Sequence, residues 1–379
     1  MTDLRPDPAR LPAPLARLRA EGVAVWLDDL SRELLSSGKL ARLVTDRGVV
    51  GVTSNPTIFA AAMAAGSAYD AQLRELAAAG TDVDEAALEL MVTDVRDACD
   101  LFADLHRSSG GLDGRVSLEV APSLARDTVG TVEMARRLWQ AVDRPNLYIK
   151  IPATEPGLPA IAAATAEGIN VNVTLIFSLD RYRGVLDAYA EGLERAAASG
   201  HDLSTIDSVA SFFVSRVDTA VDARLDALGT PDAADLRGTI AVANARLAYE
   251  AYEHYVAGDR WRGLAAAGAR PQRPLWASTG VKDKTYSSTR YVDGLVAPGV
   301  VNTMPGTTLE AVAQHATVTG DTVRGTYDDA RRRLADLAAL GIVLDDVTDE
   351  LETQGVAKFE ASWAELIASV RDGLRGARA

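Results

Sequence analysis

Eight short runs rich in valine and isoleucine, each bounded by turn-forming residues, alternate along this chain with longer stretches of helical period. They span 23–30, 49–56, 115–121, 147–153, 169–177, 208–217, 274–280 and 300–304. Runs of this length and composition predict buried strands, and the stretches between them predict helices. A strand that is apolar on both sides needs cover on both faces, which a parallel sheet wrapped in helices supplies. None of the eight reads as a solvated edge. The pattern therefore predicts an α/β fold, a closed (β/α)8 TIM barrel with additional helices, and leaves a doubly wound open sheet as the alternative. The 379 residues, 47% of them hydrophobic, suffice for a core of that size.

After the second and sixth runs the connections reach about 60 residues, more than one crossover helix requires, and predict extra helices. Residues 82–106 place Leu88, Leu90, Met91, Val95, Leu101 and Phe102 at helical spacing, and 236–255 has the same character. A last amphipathic stretch, 346–375, carries Phe359, Trp363, Leu366, Ile367 and Val370 on one face and is expected to pack on the barrel. No internal repeat, low-complexity tract or Gly/Ser linker interrupts the chain. Residues 15–379 thus read as a single barrel domain with helical insertions and a C-terminal helix. A loose Pro-rich arm, 1–14, precedes it, and 373–379 is expected to fray.

A formal net charge of −14 and a pI near 4.8 leave no basic face of the kind that nucleic acid or an anionic membrane requires. No run resembles a signal peptide or a membrane span, so the chain is expected to be cytoplasmic, with monomer or homodimer left open. The one cysteine, Cys99, allows no intrachain disulfide and no cysteine metal site, and is expected to be a small buried residue in a helix. His106, His201, His254 and His315 fall in helical stretches or loops, away from the strand ends where a metal or a histidine base would be wanted. No P-loop or Rossmann glycine spacing occurs. Neither a metal nor a nucleotide cofactor is expected.

In nearly every run a polar side chain interrupts the apolar sequence. Burying such a group unpaired costs roughly 1–3 kcal/mol, so placing them on successive strands implies a shared polar cavity. In a barrel that cavity lies at the C-terminal strand ends. Lys150, one of five lysines with Lys39, Lys282, Lys284 and Lys358, lies between Ile149 and Ile151. An apolar setting disfavours an ammonium, and the neutral amine is the form that attacks a carbonyl. The alternative is a lysine whose stem crosses the barrel to a structural salt bridge.

Asp28 and Asp29 end the first run, Asn55 follows Ser54, and Glu119 sits in Val-Ser-Leu-Glu-Val. Either aspartate could instead cap the next helix. Carbon–carbon cleavage through a Schiff base needs one group to take a hydroxyl proton and another to relay protons through water, work suited to Asp28 and Glu119. Period two puts Asn172 and Thr174 on one face with Asn170, where they line the cavity or satisfy backbone groups. Ser211 and Arg216 lie on or just after the sixth run, and Lys282 and Lys284 follow Ser-Thr-Gly at the seventh. Cations beyond late barrel strands suit a phosphate; the solvated-surface alternative is strongest for Lys284.

Six segments then appear in a familiar order: Val-Trp-Leu-Asp-Asp, Gly-Val-Thr-Ser-Asn-Pro-Thr-Ile-Phe, Val-Ser-Leu-Glu-Val, Asn-Leu-Tyr-Ile-Lys-Ile-Pro-Ala-Thr, Gly-Ile-Asn-Val-Asn-Val-Thr-Leu-Ile-Phe-Ser and Ser-Phe-Phe-Val-Ser-Arg-Val-Asp. Over nearly its whole length the chain resembles the transaldolase family, in its long bacterial type. The resemblance implies that Lys150 forms the Schiff base, that Asp28 accepts the proton at the cleaved bond, and that Glu119 and Thr174 hold a catalytic water. It further implies that Asn55 and Asn172 bind substrate hydroxyls, that Ser211 contacts the dihydroxyacetone unit and that Arg216 grips the phosphate. Lys282 stands where the family often has a second arginine, and gives a point charge without the bidentate fork. The implied reaction moves a dihydroxyacetone unit from sedoheptulose 7-phosphate to glyceraldehyde 3-phosphate, with sugar phosphates as partners and no cofactor. Relatives that act as fructose 6-phosphate aldolases tend to carry Tyr in place of Phe213 and Gln in place of Glu119, so both positions favour transfer. The aldolase and a silent sugar-phosphate-binding barrel are the alternatives.

Overall fold

The computed structural model describes residues 4–7 and 9–378. All eight runs hold a strand: β1 (Ala24–Asp28), β2 (Gly51–Thr53), β3 (Arg115–Glu119), β4 (Leu147–Pro152), β5 (Val171–Ile176), β6 (Ser208–Phe213), β7 (Arg273–Ala277) and β8 (Val301–Met304). They pair in chain order, every pair parallel, and β8 closes on β1 with Ala24 opposite Val301 and Leu27 opposite Met304. Closure excludes the open doubly wound sheet.

The strands are shorter than the apolar runs, and local chemistry sets their ends. β2 stops at Thr53 because Pro56 fixes a helical start, and Asn55 Oδ1 accepts the Ile58 N–H at 3.0 Å to cap the helix Pro56–Ala64. The sixth run also ends early. β6 stops at Phe213 and a helix, Ser215–Leu228, has begun by Ser215, so the 214–217 end of the expected strand is not extended.

Alternation along the strands fills the barrel in layers. Trp26 of β1 and Tyr148 of β4 stack with ring centroids 6.0 Å apart. A Cβ at Gly51 would lie 2.6 Å from the Trp26 ring, so β2 carries glycine where the indole needs the room. Beneath them the Arg115 guanidinium lies 4.8 Å from the Tyr148 ring centroid and pairs with Asp207 at 2.9 Å, both side chains sealed from solvent. One residue further along each strand face, the layer at the C-terminal ends turns polar.

Long connections hold the extra helices. Pro56–Ala64, Asp70–Ala79 and Val83–Ser108 follow β2, the last capped by Asp82 and burying Cys99 as expected. After β6 the helix expected at 236–255 is present as Ile240–Val256; it starts later because Gly238, with φ 64°, separates it from a short helix Pro231–Leu236 that ends at Leu236.

The last helix, Leu344–Arg378, packs on Pro56–Ala64 and Asp70–Ala79 and reaches β5. Its expected face turns inward, with Phe359, Leu366 and Val370 buried and Trp363 and Ile367 half-buried. The expected fraying is not found through Arg378. Leu374 is buried, and Gly373 lets Leu73 come so close that a Cβ would meet its Cδ1 at 2.8 Å. Ala379 lies outside the described residues, as do 1–3 and Pro8 of the N-terminal arm. Within the arm Leu4 packs on the core, the Asp7 N–H donates to the Thr45 carbonyl at 3.1 Å, and Ala13 already opens the helix Ala13–Ala20. Among the described residues no helix is long and apolar enough to cross a membrane.

Candidate active site

At the C-terminal strand ends a cavity of about 250 Å³ is lined by Asp28, Thr53, Asn55, Lys150, Thr174, Ser211, Phe213, Arg216 and Lys282, with Lys358 and Phe359 from the last helix. Ligand sites commonly span roughly 300–1,000 Å³, so this one suits a small molecule better than a dinucleotide. A larger hollow, about 480 Å³, lies between helices at Leu179, Leu247, His254 and Arg331. No strand end opens into it.

Lys150 is the centre of the cavity floor. Its Nζ donates to the Ser54 carbonyl at 3.0 Å and to Glu119 Oε2 at 3.3 Å, and lies 5.9 Å from the Phe359 ring centroid. Ile149 and Ile151, by alternation, occupy the opposite face of β4. The amine therefore sits among polar groups, and the surroundings read from its sequence neighbours are not the ones it has.

Two carboxyls flank it. Burial pushes the Glu119 carboxyl up, against the pull of the Lys150 charge. Burial likewise raises Asp28, offset in part by Lys150 and by the Thr53 hydroxyl, which donates to Asp28 Oδ1 at 2.8 Å. Carboxyls held toward their neutral form can give and take protons nearer to neutrality than ordinary ones. Asp28 faces the cavity; Asp29 is not on its wall and lies near Lys39 instead. Since the Thr53 proton is committed to Asp28, the Thr303 hydroxyl, 2.9 Å away, donates to Thr53. Sequence reasoning missed Thr53 and Thr303, although each is a polar interruption of a strand like those singled out.

β5 departs from regularity where it meets the cavity. Its register with β6 shifts between Val173 and Ile176, and Leu175 has a left-handed φ of 59°. Just before this bulge, Thr174 lines the cavity with its Oγ1 buried and without a hydrogen-bond partner among the described residues. Asn172 is not on the wall. Its Oδ1 accepts from the Ser211 hydroxyl at 2.7 Å and its Nδ2 donates to Ser117 Oγ at 3.0 Å, so it supports Ser211 from one layer below. Asn170 lies further from the cavity, its amide tied to the Pro145 and Leu147 carbonyls and the Asp207 N–H.

Asn55 spends its amide oxygen on the helix cap and keeps its amide nitrogen for the cavity. Arg216, in the first turn of Ser215–Leu228, is half-buried against the Phe213 ring, 5.2 Å from its centroid. Lys282 is on the wall, and Lys284 is not. Ser278, left-handed at φ 54°, places its hydroxyl 3.1 Å from Ser215 Oγ at the cavity edge. Lys358 and Phe359 were also missed as site residues. Their types gave no signal, because which turn of a long helix meets the barrel mouth is a tertiary fact. Among the described residues no group of three or more His, Cys, Asp or Glu side chains is placed to hold a metal ion.

Residues 25–370 match the family described as Transaldolase/Fructose-6-phosphate aldolase. A protein of Thermobifida fusca described as transaldolase is 61% identical over 362 residues, which cover 96% of this chain and 98% of its own length. Transaldolases of Mycolicibacterium smegmatis and Frankia alni are 59% and 58% identical, over 96% and 95% of this chain and 98% and 97% of their own lengths.

Proposed function

The chain belongs to the transaldolase/fructose-6-phosphate aldolase family and is an enzyme with transaldolase activity, and we propose that it runs that reaction through Lys150 with Asp28 and Glu119 moving the protons. The observation that carries this reading is a single amine held 3.3 Å from one raised carboxyl and within the field of a second, at the open end of a barrel.

In this reading the Lys150 amine attacks the C2 carbonyl of sedoheptulose 7-phosphate. Loss of water from the carbinolamine leaves an iminium, with protons relayed by a water between Glu119 and the Thr174 hydroxyl, which has no hydrogen-bond partner among the described residues. The iminium is an electron sink. Asp28 takes the proton from the C4 hydroxyl, the C3–C4 bond breaks, and its electron pair passes into an enamine while erythrose 4-phosphate leaves. Attack of the enamine on the aldehyde of glyceraldehyde 3-phosphate, with Asp28 returning its proton, and hydrolysis of the new iminium give fructose 6-phosphate. Thr303 and Thr53 orient Asp28 for both transfers.

Asn55 and Ser211 hold hydroxyls of the bound three-carbon unit, Asn172 acts by positioning Ser211, and Arg216 and Lys282 bind the phosphate. Phe213 puts a ring where a hydroxyl could direct water at the intermediate, which favours transfer over release. The exchange belongs to the non-oxidative pentose phosphate pathway and places the enzyme in the cytoplasm.

Borohydride reduction in the presence of fructose 6-phosphate tests the mechanism. The peptide holding Lys150 should gain the mass of the reduced three-carbon adduct, and glyceraldehyde 3-phosphate should suppress that gain by accepting the unit. A Lys150 peptide that stays unmodified while the enzyme turns over would refute the assignment.

A further inference from the structure

Before the arginines Arg371, Arg375 and Arg378 near its end, the long C-terminal helix is acidic: between 344 and 370 it carries Asp345, Asp346, Asp349, Glu350, Glu352, Glu360 and Glu365, and one cation, Lys358. That cation occurs on the one turn that meets the barrel mouth. Gly355, Phe359 and Ser362 mark the face at helical spacing. A Cβ at Gly355 would stand 3.0 Å from Leu175 Cδ2 and 3.7 Å from an Arg216 guanidinium nitrogen. The Phe359 ring centroid is 5.9 Å from Lys150 Nζ, and Ser362 Oγ is 2.7 Å from Thr57 Oγ1. Lys358 belongs to the same stripe and lines the cavity beside Arg216 and Lys282.

Among the described residues none of these three cations has an ion-pair partner, whereas Arg181, nearby, is matched to Glu352 at 3.3 Å on the same helix. Burial and the charges of Arg216 and Lys282 hold the Lys358 ammonium below its ordinary range. Three like charges gathered at one opening of a chain with net charge −14 repel one another unless an anion joins them.

We propose that Lys358 is a third binding residue for the substrate phosphate, delivered by the C-terminal helix to the cavity wall beside Arg216 and Lys282. The inference rests on the reading above that Arg216 and Lys282 hold that phosphate. It gives the helix a part in specificity: Lys282 supplies no bidentate fork, and a second point charge from the C-terminal helix completes the anion's coordination. The donor and acceptor phosphates would use the same three cations in turn.

The test compares the unmodified enzyme with Lys358→Met, Lys358→Arg and Arg216→Ala. Two quantities are read: the preference in kcat/KM for fructose 6-phosphate over fructose, and inhibition by inorganic phosphate. Lys358→Met should lower the preference about five- to tenfold and weaken phosphate inhibition by a similar factor, as expected of one partly solvated charge-assisted contact. The loss should fall on KM, and Lys358→Arg should restore most of it. If Arg216→Ala collapses both readings while Lys358→Met leaves them unchanged, or lowers both sugars equally, the role of Lys358 is overturned and the phosphate site stands. If Arg216→Ala also changes neither, the phosphate site itself is misassigned and the inference falls with it.

Discussion

Lys150 and Glu119 stand opposite one another on neighbouring strands, and their side chains meet at 3.3 Å with both almost sealed from solvent. An ion pair and a proton-relay pair look alike at this distance, and Glu119→Gln separates them. The amide keeps the shape and can still accept from the amine, so a merely structural pair would register mainly as lost stability. A relay loses its proton carrier. Transfer should fall about 10²–10⁴-fold, the range for removal of a general acid–base group. Reductive trapping should still label Lys150. A coupled assay and mass spectrometry on the same sample decide it, and a variant that transfers at more than a tenth of the parent rate excludes the relay.

Thr174→Val tests the water site through a combination that a core residue would not show. The Thr174 hydroxyl is buried without a protein partner among the described residues, a state that costs about 1–3 kcal/mol. Valine has the same shape, so the variant should be as stable as the parent or slightly more so in urea unfolding. If the hydroxyl anchors the water that hydrates and dehydrates the iminium, kcat should nonetheless fall at least tenfold. Unchanged turnover would show that the hydroxyl faces the cavity to no catalytic purpose.

What could be read from the chain beforehand follows from which forces are local. The eight strands were legible because double-sided burial writes itself into contiguous apolar runs. The ends of those runs were not, because Asn55 capping and the Ser215 helix start compete for the same residues. Lys150, Asp28 and Glu119 stood out as polar residues where burial penalises them. The environment of Lys150 was misjudged: Ile149 and Ile151 are its neighbours in the chain and not in space. Asn172 shares a face with Thr174 as period two requires, yet two residues earlier on β5 it sits one layer deeper, where Ser211 and Ser117 take its amide. Lys358 and Phe359 depend on where a helix of 35 residues crosses the barrel, which no local pattern encodes.

At the opposite end of the barrel from the cavity, Asp207→Ala should separate folding from chemistry. Arg115 and Asp207 form a buried pair at 2.9 Å, and among the described residues the guanidinium left behind would keep only the Pro145 carbonyl and the Tyr148 ring as partners. Breaking a pair of this kind costs about 3–5 kcal/mol. The urea midpoint should drop accordingly, with kcat of the folded fraction within twofold of the parent. A large loss of kcat at full stability would mean that the floor of the barrel couples to the site.

The clearest pH signature comes from Asp218, in the helix that begins beside Arg216. Its side chain is 1% exposed; Oδ1 accepts the Ala241 N–H at 2.7 Å and Oδ2 accepts the Tyr291 hydroxyl at 2.9 Å. Burial pushes its carboxyl up to about 6, with the Ala241 N–H pulling down and Asp222 adding to the rise. The folded value thus lies above the unfolded one of 3.8, the reverse of a salt-bridged carboxylate. Above pH 6 the native state carries a charge it would rather not, and that cost is present in full. As pH falls from about 6 toward 4 the native state takes up a proton that the unfolded chain does not yet bind, so the cost is relieved by roughly 3 kcal/mol. Asp218→Asn carries no charge at any pH; its oxygen can accept from Ala241 and its nitrogen can donate to the Tyr291 oxygen. Relative to the parent, the variant should therefore gain stability at pH 7.5 and lose that gain at pH 4.5. Urea unfolding at the two pH values measures the difference directly, and a difference that does not change with pH would show that Asp218 folds with an ordinary carboxylate.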